Sequence, residues 1–224
     1  GAGGGTSVTF AAQGAASAPG TVWNALAPST DGSGNGEFGS GGALDFSGDP
    51  AVWSGLLDSE GNATGVSVEL FKGAPHFAFA LNPLNGGDVN VADDAKELMR
   101  DFLTATSPNA VNITGLADGG VYNIFLYGAG DHGGATTLFT INGNSQATTG
   151  VPGGAHDLTL GQDYVVFENV VAVGGFIGIT YETAGAGDGA FNGMQIALVP
   201  EPSTIVLLGV GAALFARQLR RNAE

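Results

Sequence analysis

A glycine-rich loop at residues 127–134 holds side chains that are well suited to binding a sugar. It brings Tyr127, Asp131 and His132 close together in sequence. A flat aromatic ring can cover the apolar C–H face of a sugar, while planar polar groups bind the hydroxyls. The same chemistry is offered by Trp23, Asn24 and Trp53. Packing in the core or at its rim is the alternative for each aromatic residue, because large rings dominate protein interiors.

The acidic loops also offer oxygen ligands of the kind that calcium prefers. Asp131 and Asp188 are the candidate ligands of one structural calcium ion, and no other cofactor is expected. Further loop oxygens of this kind belong to Asp31, Asn35, Asp45 and Asp49. None of these residues follows the spacing of an EF-hand loop. Zinc has less support, because the chain has no cysteine and no His-x-x-x-His motif.

The sequence lacks the patterns of common hydrolases. A catalytic triad needs an activated serine beside a histidine and a carboxylate, but the chain has no Gly-x-Ser-x-Gly elbow. The histidines at positions 76, 132 and 156 are far apart in sequence. A carboxylate pair that cleaves glycosides stays an alternative, since acidic residues are abundant and their spacing distinguishes no pair. We therefore predict no catalytic residue and a non-enzymatic protein.

Charge and composition limit the class of partner. The 224 residues include 21 Asp plus Glu and only 6 Lys plus Arg. Residues 1–199 hold 19 of the carboxylates against three cations, a formal net charge of −16. Such a surface repels phosphate backbones, so we expect no nucleic-acid partner. The first residue is Gly1 rather than methionine, which predicts that an N-terminal segment is removed.

The apolar pattern predicts a body made mainly of strands. Residues 66–71 alternate apolar and polar side chains, and residues 121–127 are apolar on both faces, as in a central strand. Asn142-Gly143 is a strong hairpin signal. One amphipathic helix is predicted over about 93–103, where apolar residues recur with helical spacing. With 40 glycines for tight turns, these elements predict an all-β sandwich of the jelly-roll type.

The last residues have a different composition from the rest of the chain. Two prolines around a glutamate interrupt the β pattern after residue 199, and residues 204–216 are apolar or small throughout. A basic cluster follows and is expected to stay cytoplasmic. We therefore expect residues 1–199 to form the sandwich domain, and residues 200–224 to form a segment with a hydrophobic helix outside it. The residues that define this segment are Pro200, Glu201, Pro202, Arg217, Arg220 and Arg221.

This three-part tail resembles the PEP-CTERM sorting signal, which has the same proline–glutamate–proline triplet, apolar helix and arginine cluster. The resemblance implies export in a Gram-negative bacterium and recognition by an exosortase-type membrane protease. It also implies a precursor anchored in the inner membrane through the helix, and a final location in the cell envelope or outside the cell.

The remainder resembles the galactose-binding-like jelly-roll domains found upstream of that signal. The pieces that carry the resemblance are residues 22–24, 56–61, 121–128, 139–143 and 192–196. Together with the tail, it predicts a non-enzymatic envelope or extracellular-matrix protein that binds exopolysaccharide. The alternatives are a polysaccharide-active enzyme that uses a carboxylate pair, and a purely structural surface protein.

Overall fold

The computed structural model describes residues 6–10, 21–25, 50–71, 76–79, 102–105, 107–130, 135–150, 158–185 and 189–200. Within these ranges every regular element is a β-strand. In chain order the strands are β1 (Thr6–Phe10), β2 (Thr21–Ala25), β3 (Ala51–Ser54), β4 (Ser67–Leu70), β5 (His76–Phe79), β6 (Phe102–Ala105), β7 (Asn109–Thr114), β8 (Val121–Tyr127), β9 (Ala129–Gly130), β10 (Ala135–Ile141), β11 (Asn144–Ala147), β12 (Tyr164–Val171), β13 (Ile177–Thr183), β14 (Gly189–Phe191) and β15 (Gly193–Leu198).

Two antiparallel sheets build the sandwich. The larger has seven strands in the order β11-β10-β13-β7-β4-β3, with the short β9 also paired to β10. The smaller has the order β12-β8-β15. A second three-stranded sheet, β14-β6-β5, and the β1-β2 pair complete the described strands. The prediction of an all-β sandwich is confirmed.

The core lies between the two main sheets and follows from strict alternation along the strands. On β7, buried and half-buried residues alternate, so Val111 and Ile113 point inward. On β8 of the facing sheet, Ile124 and Leu126 are also fully buried. All four belong to one continuous apolar cluster. Full burial of each such side chain contributes about 1.5–3 kcal/mol, so this cluster is what holds the sheets together.

The predicted central strand and hairpin are both confirmed. Strand β8 pairs with β12 on one side and with β15 on the other. Strands β10 and β11 are joined by Asn142 and Gly143, whose φ angles are 51° and 76°. Two positive φ angles are what a type I′ turn needs, and this turn matches the twist of paired strands.

The predicted helix over about 93–103 is wrong at its C-terminal end. Phe102 and Leu103 belong to β6, which pairs with β5 on one side and β14 on the other. A short apolar run does not distinguish a helix from a buried strand, and pairing on both sides satisfies its backbone groups. Residues 93–101 lie outside the described residues.

Candidate functional site

Tyr127 is a core residue in the structure and not a surface contact. Its ring is fully buried and packs against Tyr164, with 5.5 Å between the ring centroids. Its hydroxyl donates a hydrogen bond to Oε1 of Gln195 at 2.8 Å. Burial raises the pKa of the Tyr127 phenol well above its ordinary value. The expectation that this ring contacts a ligand is therefore corrected, and the alternative of core packing applies.

Trp53 and Asn24 also have structural environments. Trp53 is buried in the apolar cluster. The Asn24 side chain binds the backbone of Leu57 in both directions, donating to its carbonyl at 2.8 Å and accepting from its N–H at 2.9 Å. Asn24 thus attaches β2 to the loop after β3 and holds residues 22–24 beside residues 56–61. A ligand role for either residue is not supported by this placement.

The other predicted site residues fall outside what the structure describes. The Trp23 backbone belongs to β2, but its side chain is not among the described ones, and Asp131, His132 and Asp188 lie in undescribed stretches. Among the described residues, no three His, Cys, Asp or Glu side chains are grouped so that they could hold a metal ion. The calcium ion therefore stays a prediction.

Three segments that are far apart in sequence meet at Gly128, just after the end of β8. The Ala129 N–H donates to Oδ1 of Asn192 at 2.9 Å, and the Asn192 N–H donates to the Tyr127 carbonyl at 2.9 Å. A methyl group on Gly128 would lie 2.5 Å from Cζ of Phe139, so only glycine fits there. Residues 121–128, 139–143 and 192–196 therefore form a structural joint, which we call the Gly128 joint.

A different arrangement lies on the outer face of the seven-stranded sheet. Glu69 of β4, Asn112 of β7 and Gly178 of β13 occupy one cross-strand row. Neighbouring strands are about 4.8 Å apart, so the row spans about 10 Å. All three residues are half-buried.

Phe176 provides an exposed ring beside this row. Gly174 and Gly175, with φ angles of 63° and 74°, form the tight turn before it, and Val173 and Phe176 exchange backbone hydrogen bonds of 3.1 and 3.2 Å across that turn. The position of a Cβ on Gly178 would be 3.2 Å from Cε1 of the Phe176 ring and 3.3 Å from Cζ. Because Gly178 has no side chain, the ring lies against the sheet, and the side chain of Phe176 keeps 42% of its surface exposed.

The polar groups of the row are already oriented. Nδ2 of Asn112 donates to Oε2 of Glu69 at 3.1 Å. The position of a Cβ on Gly178 is 3.7 Å from Oδ1 of Asn112, so the amide and the Phe176 ring share one surface. We call Phe176, Gly178, Asn112 and Glu69 the Phe176 patch. It combines an aromatic face with planar polar groups, which is the chemistry that the sequence led us to expect at Tyr127.

Sequence reasoning missed this patch, although one local signal was present. The run from Phe176 to Gly178 places a glycine two residues after an aromatic residue, on the same face of a strand. A glycine inside a strand indicates close approach of another group. The register that brings Glu69 and Asn112 alongside cannot be deduced from that signal.

A comparison with known families shows the localisation of the protein. Residues 198–221 match the model of the PEP-CTERM protein-sorting motif. The protein is exported. The motif also confirms processing by an exosortase and a precursor stage anchored in the membrane. Among the described residues, the structure has no helix of the length and apolar character needed to cross a membrane; most of the motif lies beyond them.

Comparisons with curated proteins and with solved structures add little information about the function of this exported protein. No curated protein matches the chain. Among solved structures, it is similar to the carbohydrate-binding module TmCBM61 in complex with β-1,4-galactotriose. That match has 16% sequence identity and a TM-score of 0.30, and covers 61% of this chain and 88% of the module. The likeness is too distant to carry an argument about function.

Proposed function

We propose that this exported protein is a non-enzymatic polysaccharide-binding component of the cell envelope or extracellular matrix. The observation that carries the proposal is the Phe176 patch: an exposed ring beside a paired amide and carboxylate, on one face of a sheet. The ring offers an apolar surface to sugar C–H groups. Asn112 and Glu69 offer a donor and acceptors to neighbouring hydroxyls.

The placement of the patch favours a long ligand over a small one. It lies on the face of an antiparallel sheet, where a polymer can lie across several strands, rather than in a closed pocket of the kind that buries small molecules. Glu69 within the patch, and the net charge of −16 over residues 1–199, repel a polyanion. We therefore propose an uncharged polysaccharide as the ligand.

The test is affinity electrophoresis of the full chain in gels that contain a neutral galactan or glucan, with a polyuronate gel for comparison. We expect retardation by at least one neutral polymer. Phe176→Ala should weaken it about tenfold, since an aromatic contact contributes about 1.4 kcal/mol at this scale. Thr180→Ala is the matched control, because Thr180 is exposed on β13 on the same face as Gly178 but lies in the next row, opposite Ala110.

Two results would contradict the proposal. One is equal retardation of the wild-type protein, Phe176→Ala and Thr180→Ala, which would place binding elsewhere. The other is release of reducing sugar ends from the polymer during incubation, which would favour the enzyme alternative.

A further inference from the structure

One end of the sandwich carries a group of exposed apolar side chains that the proposed function does not use. Val171 is the last residue of β12 and is 45% exposed, and Val173 follows it and is 74% exposed. Leu198 ends β15 and is 62% exposed. Val171 and Leu198 pair with Val121 and Tyr122, adjacent residues of β8, so both lie at the same end of the small sheet, on its opposite faces. Val173 lies just beyond this end of β12. We call Val171, Val173 and Leu198 the exit patch.

The chain leaves the domain at this end. The Val199 N–H donates to the Val121 carbonyl at 2.8 Å, so the backbone stays bound to the sheet until residue 199. The sorting motif begins at residue 198. Only three residues lie between position 200 and the start of the apolar run at position 204, which limits the distance to about 14 Å even in a fully extended chain.

The described part of this end carries three carboxylates. Residues 116–121, 170–178 and 196–200 include Asp118 alone. The loop between β3 and β4 lies at the same end, because Ser67 pairs with Thr114, and it adds Asp58 and Glu60. Oδ1 of Asp118 accepts a hydrogen bond from the Gly174 N–H at 2.7 Å. These carboxylates belong to loops, whereas the exposed apolar residues Val171 and Leu198 are the last residues of β12 and β15.

We propose that the exit patch contacts the phospholipid bilayer while the precursor is anchored by its tail. The tail holds the domain within reach of the membrane, and the three apolar side chains enter the headgroup region beside the anchor. The domain then stands on the membrane in one orientation, instead of being tethered freely. The Phe176 ring lies over Gly178 on the outer face of the large sheet, while the Phe176 backbone bridges to Val173 of the exit patch.

The absence of cysteine allows a site-specific test in the full chain. Val173→Cys is labelled with bimane and the protein is reconstituted through its tail into vesicles of phosphatidylethanolamine and phosphatidylglycerol, with or without brominated acyl chains. Leu160→Cys is the matched control. Leu160 is 60% exposed and bridges to Tyr164, the first residue of β12, which is about 23 Å from Val171 along the strand.

We expect brominated lipid to cause loss of bimane fluorescence at position 173 and no loss at position 160. Equal quenching at both positions would overturn the proposal, because the domain would then have no fixed orientation. Intermolecular disulfide formation by unlabelled Val173→Cys, with no quenching of the labelled protein, would overturn it in favour of a second copy of the chain. A label at Ala212→Cys checks the anchor, and its failure to be quenched would also refute the arrangement.

Discussion

Gly128 and Gly178 both lie under a phenylalanine ring, one inside the sandwich and one on its surface. A Cβ on Gly128 would be 2.5 Å from Cζ of Phe139 and 2.7 Å from the Ala190 carbonyl oxygen. A Cβ on Gly178 would be 3.2 Å from the Phe176 ring, and its third neighbour is Oδ1 of Asn112 at 3.7 Å. Inside, the glycine is enclosed by a ring and by backbone. On the surface, at Gly178, only the Phe176 ring is in close contact with the Cβ position, and this ring can move into solvent.

The difference shows that a glycine under a phenylalanine ring can serve two purposes. At Gly128 the missing side chain lets the strands close around Phe139, which is fully buried and lies 6.3 Å from Phe191 between ring centroids. At Gly178 it lets an exposed ring lie against the sheet. We therefore expect substitutions at the Gly128 joint to reduce stability, and substitutions at the Phe176 patch to reduce binding.

The largest expected effect is that of removing the buried ring. Phe139→Ala should lower the free energy of unfolding by about 4 kcal/mol, because it leaves a cavity in a fully enclosed site. Phe176→Ala should lower it by only about 1 kcal/mol, because the ring is half-exposed. Urea denaturation of both variants measures the difference. Equal losses would mean that the exposed ring is part of the core, and the comparison would fail.

Gly128→Ala should follow, with a loss of about 3 kcal/mol. The new methyl group meets the carbonyl of Ala190, whose strand cannot move away because the Ala190 N–H and carbonyl both bind Oγ1 of Thr137 at 2.7 Å. The Gly128 carbonyl also accepts a hydrogen bond from Oγ1 of Thr148. Urea denaturation again reports the change. A loss below about 1 kcal/mol would show that the joint adapts.

Alkaline pH tests the interior without a mutation. Burial raises the pKa of the Tyr127 and Tyr181 phenols above the ordinary value of 10.0. The folded state thus keeps both protons where the unfolded state releases them. The stabilisation is fully present below pH 10 and is lost as the pH rises towards the folded-state values, by about 1.4 kcal/mol per tyrosine and pH unit.

Absorbance at 295 nm and circular dichroism, followed together from pH 9 upward, check this. We expect the tyrosinate signal of the buried pair to appear only with unfolding, at a lower pH in Gly128→Ala than in the wild-type protein. Tyr181 reports on the joint because its ring centroid is 5.3 Å from that of Phe191. Titration of all four tyrosines in a protein that stays folded would contradict the burial of the pair.

The sequence could predict what depends on neighbours along the chain. The two-residue period identified β4, the run of apolar residues on both faces identified β8, and the pair Asn142-Gly143 identified the hairpin. It could not predict that the Tyr127 side chain is buried. The alternation along β8 shows which residues share a face of the strand, but not which other elements pack against that face. The Phe176 patch was equally hidden, since Glu69, Asn112 and Gly178 come from three strands that are far apart in sequence and adjacent only in register. The tail was recognisable because its signal is local.

The smallest expected change in stability belongs to Gly178→Ala, and it sharpens the comparison most. The φ angle of Gly178 is not positive, so alanine introduces no backbone strain, and the free energy of unfolding should change by less than about 1 kcal/mol. The methyl group would lie 3.2 and 3.3 Å from two carbons of the Phe176 ring, which is tighter than an ordinary contact, so the ring has to shift away from the sheet by a few tenths of an ångström. Retardation by a neutral polysaccharide should therefore fall, while the urea midpoint stays close to that of the wild-type protein. Full retardation in Gly178→Ala would show that the position of the ring does not matter for binding, and a large loss of stability would show that the outer glycine is enclosed as tightly as the inner one.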